Sequence, residues 1–91
     1  MSTPYKIIRE PDPGRGAVTL LLNGKFGADA LADLERDIFA ARQAQQEVYL
    51  DMSEVTLIDR KSARFFANQR VRDVKLVNCP SYLQHWIMRG A

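Results

Sequence analysis

One cysteine, Cys79, stands among the 91 residues. An internal disulfide is therefore excluded, and with it the disulfide-stapled class of small secreted domains. No run of about 18 apolar residues occurs, so no membrane span is expected. The opening segment, "MSTPYKIIRE", lacks the apolar stretch of a secretory signal. Histidine is almost missing too. His85 is the only one, and no cysteine or carboxylate stands at ligand spacing on its helix, so neither a metal nor a cofactor is expected. There is no G-x-x-x-x-G-K-[ST] phosphate loop and no nucleophile elbow. Ser62, His85 and Asp59 form a Ser/His/Asp set in composition only, without triad spacing. Repeats, low-complexity tracts and linkers are absent as well. Together these absences exclude the common enzyme signatures and point to the cytoplasm, to a bacterial-type regulator or subunit.

Hydrophobic residues make up 46% of the chain, which suits one domain over residues 1–91 with one core. The net charge of +2 favours no particular partner, but its distribution is uneven. Between Ala28 and Glu54 lie seven carboxylates against Arg36 and Arg42. Between Arg60 and Lys75 lie six basic residues against Asp73. Such a split leaves two readings open: differently charged solvated faces, or an anionic or acidic partner for the second half. The basic stretch has no stacking aromatics beyond Phe65 and Phe66, so nucleic acid is not expected.

The runs "YKIIRE" and "AVTLLLNG" are β-rich, and the Pro/Gly cluster "PDPGRG" between them reads as a hairpin loop. From Ala28, the spacing of Leu31, Leu34, Ile38 and Ala41 is that of one helical face. "EVYLDM" is the next strand, and "SEVTLI" carries it on to Asp59. A helix after Asp59 offers Ala63, Phe66 and Ala67 to the core. "DVKLVN" is a further strand. Pro80 fits the first turn of a last helix, whose stripe is Leu83, Trp86, Ile87 and Gly90. The expected order is β-β-α-β-α-β-α: an α/β domain whose mixed sheet opens with a hairpin and continues through parallel, right-handed crossovers.

The candidate site is the start of the second helix. Asp59 suits an N-cap, since its carboxylate can accept free first-turn N–H groups. Arg60 and Lys61 then stand where the helix macrodipole disfavours cations, at roughly 0.3–1 kcal/mol each. Violations of a local rule cluster at functional sites. One reading is a contact surface for an acidic partner, extended by Arg64 one turn on. A second is an anion site where N–H groups and cations converge, and a third is two solvated side chains swung away. Ser62 is the one hydroxyl nearby, read as bonding to local backbone, with a displaced phosphorylation site as the alternative. Asp51 and Ser53 read as organising a turn, Cys79 as a capping or partly buried thiol, and Trp86 and Phe66 as packing residues.

"LLLNGKFGADALADL", "EVYLDMSEVTLIDRKSARFF" and "LVNCPSYLQHWIMRGA" together resemble the STAS domain, the fold of bacterial anti-sigma factor antagonists and of sulfate-transporter tails. The matching positions are Leu22-Asn23-Gly24, Leu50-Asp51-Met52-Ser53, Ile58-Asp59, Pro80 and Gly90, in family order over nearly the whole chain. The resemblance implies a non-enzymatic regulator that works by protein–protein contact, with an anti-sigma factor or kinase-like partner. Small STAS subunits of transporters, and a nucleotide- or anion-binding module, are the alternatives.

The departures from the family pattern bear on mechanism. Antagonists of this family carry a phosphorylatable serine directly after the motif aspartate. Here that position is Arg60, followed by Lys61 and by Ser62 in place of the motif glycine. No phosphorylation is expected at a guanidinium. The acidic residue often found after the second strand is Gly27 here, and the segment before the fourth strand is shorter than usual. The chain stops at Gly90-Ala91, where many relatives continue into a further strand and helix, and the resemblance therefore implies that "DVKLVN" is left as a sheet edge that another chain, including a second copy, can pair with. The resemblance thus implies a minimal STAS-like fold, truncated at its C-terminal end, with Asp59, Arg60, Lys61, Ser62 and Arg64 as the partner-binding set.

Overall fold

A computed structural model describes residues 4–89. Strands β1 (Tyr5–Asp12) and β2 (Ala17–Phe26) form the opening hairpin. Helix α1 (Ala28–Gln43), strand β3 (Glu47–Ile58), helix α2 (Arg60–Val71), strand β4 (Lys75–Val77) and helix α3 (Ser81–Met88) follow. The sheet order is β1-β2-β3-β4. β1 runs antiparallel to β2, whereas β2–β3 and β3–β4 are parallel. The α/β architecture and the β-β-α-β-α-β-α order are those expected from the pattern of apolar residues.

Strand alternation decides which face is buried. Val18, Leu20 and Leu22 of β2 point to the helices with Val48, Leu50 and Met52 of β3. α1 covers them with Ala30, Leu34, Ile38 and Ala41, α2 with Ala63 and Phe66, and α3 with Leu83 and Ile87. Each fully buried aliphatic or aromatic side chain of this set contributes about 1.5–3 kcal/mol before entropy is counted. Tyr5, Phe26, Phe66 and Phe65 form a chain of tilted rings, with centroids 5.7, 6.3 and 5.6 Å apart. That chain ties the hairpin to α2.

β3 departs from strict alternation. After Met52 its buried positions are Val55 and Ile58, three apart. The register with β2 slips twice, between Leu21 and Asn23 and between Gly24 and Lys25, each time by one extra residue on β3. A bulge turns a side chain to the other face, and two bulges keep Val55 and Ile58 in the core. At Gly24, φ is +90° and a Cβ would lie 2.2 Å from the Pro4 carbonyl oxygen. Any side chain there would break the hairpin's start.

Several local expectations are corrected. β1 runs through Pro11 and Asp12, so only Pro13–Gly16 is loop, most of it a single 3-10 turn at Pro13–Arg15. Proline is tolerated because β1 is an edge strand. Asp51 and Ser53 lie inside an unbroken strand, not in a turn. β4 is an edge as expected, but three residues long; Asp73 and Asn78, both with positive φ, close it at either side. Pro80 is the N-cap of α3, one residue before its first turn. Trp86 is 39% exposed, not a core residue: in a two-turn helix Leu83 and Ile87 occupy the inward stripe, and Trp86 falls on its flank. Gly90 lies outside the described residues.

Candidate functional site

β2 and β3 end side by side, with Phe26 paired to Ile58, and both chains turn there into helices. α1 leaves through Gly27 and α2 through Asp59. The Asp59 carboxylate accepts the backbone N–H of Ser62 at 2.8 Å, the N-cap geometry its position predicts. The Ser62 N–H holds the Asp59 carboxyl below the usual carboxylate range, and the Lys61 charge adds to this. A Cβ at Gly27 would stand 3.4 Å from the Asp59 carboxylate, so the absent side chain leaves room for the cap.

Ser62 is completely buried. Its hydroxyl donates to the Phe26 carbonyl oxygen at 2.6 Å. The bond thus crosses from α2 to the end of β2, instead of closing on local backbone. The expected member of the contact set is an internal strut, and its hydroxyl faces no solvent.

Arg60, Lys61 and Arg64 are all exposed. Among the described residues, neither Arg60 nor Lys61 takes part in an ion pair. The structure therefore brings Asp59, Arg60, Lys61 and Arg64 together at one helix start and withdraws Ser62 beneath them. Asp59 already occupies a first-turn N–H that a bound anion would need.

Pattern reasoning missed the seam between α1 and α2. Two adjoining hollows of about 380 and 400 Å³ run along it and share Glu35, Phe65 and Asn68. Lys61 and Arg64 stand at one end, Arg42 and Arg72 at the other, and the Arg42 guanidinium donates to the Arg72 carbonyl. Phe39, 64% exposed, forms part of the apolar wall. The signal was present: Phe39 follows the core residue Ile38, and Phe65 precedes the core residue Phe66, so each adds an aromatic outside its helix's inward stripe.

The remaining candidates have local roles. Asp51 accepts from the Ser53 N–H at 3.0 Å and from Asn78 at 3.1 Å. Burial works to raise its carboxyl, but these hydrogen bonds outweigh burial and hold it low. Cys79 is half-buried, and burial pushes its thiol above the ordinary range, contrary to what a reactive cysteine needs. His85 sits exposed on α3. Among the described residues no cluster of His, Cys, Asp or Glu could hold a metal, and no helix is long and apolar enough to cross a membrane.

The sequence matches no family pattern, and comparisons with curated proteins and with solved structures return no match.

Proposed function

We propose that the protein is a STAS-like regulatory module that acts by binding another protein, without catalysis and without a phosphorylation switch. The observation that carries this reading is the arrangement at the start of α2. Arg60, Lys61 and Arg64 face outward, and the only hydroxyl of the segment, Ser62, is buried and bonded to Phe26. A phosphoserine would bring about −1.5 to −2 charges to such a helix start; Arg60 and Lys61 bring fixed positive charge instead. The seam between α1 and α2 continues this surface with an apolar wall and more cations than carboxylates. An acidic protein surface fits it, because arginine binds carboxylates through paired hydrogen bonds.

An anti-sigma factor or kinase-like protein is the partner class that the STAS resemblance favours. A nucleotide or free anion is the weaker reading, since it would compete with the Asp59 cap for the same N–H groups. The test is titration calorimetry at low salt against an anti-sigma or kinase-like protein encoded beside this one. Replacing Arg60 and Lys61 together by Ser should weaken binding by more than about 1 kcal/mol, the upper range for an exposed ion pair. The same change should flatten the salt dependence. Equal affinity for wild type and double variant would return the two cations to ordinary solvated surface.

A further inference from the structure

The sheet has two edges, and they differ in kind. β4 offers three residues, and its Lys75 is engaged by Glu47. β1 offers eight residues and pairs with β2 on one side only. Long edges with unpaired backbone groups recruit further strands unless they are blunted.

Which groups of β1 point outward follows from one bond. The Lys25 N–H donates to the Pro4 carbonyl at 3.0 Å, and β1 and β2 stay in one antiparallel register from Tyr5↔Gly24 to Asp12↔Ala17. Inward and outward hydrogen-bonding residues alternate along an antiparallel strand. The backbone groups of Lys6, Ile8 and Glu10 therefore face β2, and those of Tyr5, Ile7, Arg9 and Pro11 face out, Pro11 offering a carbonyl but no N–H. Side chains divide the other way, between the two faces of the sheet. Tyr5 and Ile7 pack against the core, so Lys6, Ile8 and Glu10 stand on the face away from the helices.

We propose that β1 is a homodimerisation edge, pairing antiparallel with β1 of a second copy about a two-fold axis at Ile8. In that register each Ile7 lies opposite the other copy's Arg9, and these are the residues whose N–H and C=O groups point outward. Lys6 lies opposite the other copy's Glu10 twice over, in the pair type where side chains come closest. Ile8 meets Ile8 on the open face. Each is half-buried against Leu21, its partner across β2, so the contact joins two apolar strips. On the helix side, Arg9 of one copy reaches the hollow lined by Tyr5, Lys6, Ile7, Asp33, Arg36 and Asp37 of the other, where Asp33 is already paired with Arg36 and Asp37 is the carboxylate left to meet it. Shifting the axis to Arg9 sets two guanidiniums face to face, and shifting it to Ile7 loses the Lys6–Glu10 pairs. Charge complementarity thus selects both the occupant and the register. A two-fold contact of this kind closes on itself and does not grow into a fibre.

Sedimentation analysis of the full chain, from micromolar to about 1 mM, tests the proposal. Wild type should show a monomer–dimer equilibrium. Lys6→Glu and Glu10→Lys should each weaken it about tenfold, since each turns two attractive cross-strand pairs into repulsive ones. An equimolar mixture of the two variants should dimerise as wild type does, because both cross pairs are then opposite in sign. Arg89→Glu, at the exposed end of α3, and Glu54→Lys, on β3, make the same net-charge changes away from β1 and should leave dimerisation unaltered. Thermal melts of every variant verify folding. A wild type that stays monomeric throughout, single variants that dimerise as well as wild type, or a mixture that is not rescued would overturn the proposal.

Discussion

α1 and α2 start from adjacent strand ends, yet their first turns are built on opposite principles. α1 begins at Gly27 with no side-chain cap and carries Asp29 in its first turn, the sign that the macrodipole favours. α2 begins at Asp59 with a capping carboxylate and carries no acid in its first turn, only Arg60 and Lys61. Charge stabilises one start and a cap offsets the other. The two are also joined, because the Ser62 hydroxyl of α2 holds the Phe26 carbonyl at the end of β2. Helix stability alone therefore does not account for cations at α2; the cap and the buried strut leave that start able to tolerate them.

The largest test breaks the join. Ser62→Asp would place a carboxylate where no solvent reaches, beside a carbonyl oxygen that cannot donate to it. The expected cost is about 3 kcal/mol or more, read as a fall in the urea midpoint. Ser62→Ala removes the donor and leaves the Phe26 carbonyl unsatisfied, at about 1–2 kcal/mol. A phosphate on Ser62 would meet the same burial as an introduced acid, and would act by disrupting the fold. Intact-mass spectrometry after incubation with a cognate kinase and ATP should find no added phosphate on the folded chain.

The cap comes next. Asp59→Ala should cost about 1 kcal/mol, whereas Asp59→Asn, which can still accept from the Ser62 N–H, should cost less. The pH dependence carries a sign. The folded carboxyl is held below its unfolded value, so the folded state takes up this proton less readily than the unfolded one. The carboxylate's contribution is complete above an unfolded value of about 3.9 and is lost as pH falls through the lower folded value. Wild type should lose more stability than Asp59→Ala between about pH 5 and pH 2. Parallel acid denaturation profiles would show that the cap bears no load.

How far this contrast was legible depended on the distance over which each feature is made. Element order and the α1 stripe of Leu31, Leu34, Ile38 and Ala41 follow from local periodicity, and Asp59 as a cap from its place before an apolar-patterned helix. Ser62 gave no local sign of its role, because its partner is Phe26, 36 positions away. The spacing of Val55 and Ile58 hid two bulges that exist only against β2. Trp86 was misplaced because spacing identifies a stripe, while the width of that stripe is fixed by how closely a short helix approaches the sheet. The seam between α1 and α2 required the packing of two helices to be known. Arg60 and Lys61 were legible as a broken rule. Their use rests on the proposed protein contact, which the sequence motivates and binding must test.

The smallest effect separates fold from function at the two helix starts. Arg60→Glu should stabilise the protein by roughly 0.3–1 kcal/mol, since it replaces an unfavourable first-turn charge with a favourable one. Asp29→Lys at α1 should destabilise it by a similar amount, with no side-chain cap there to compensate. Both effects should shrink together as salt is raised, because both sites are exposed. Chemical denaturation at low and high ionic strength reads both. If Arg60→Glu stabilises the fold and also weakens partner binding, the arginine is kept at a cost to its own helix, and contact is the reason. If Arg60→Glu destabilises, Arg60 has a structural role in the folded chain and the contrast between the two starts fails. If it stabilises and binding is untouched, the cation is a tolerated surface charge, and the proposed contact must lie farther along the seam between α1 and α2.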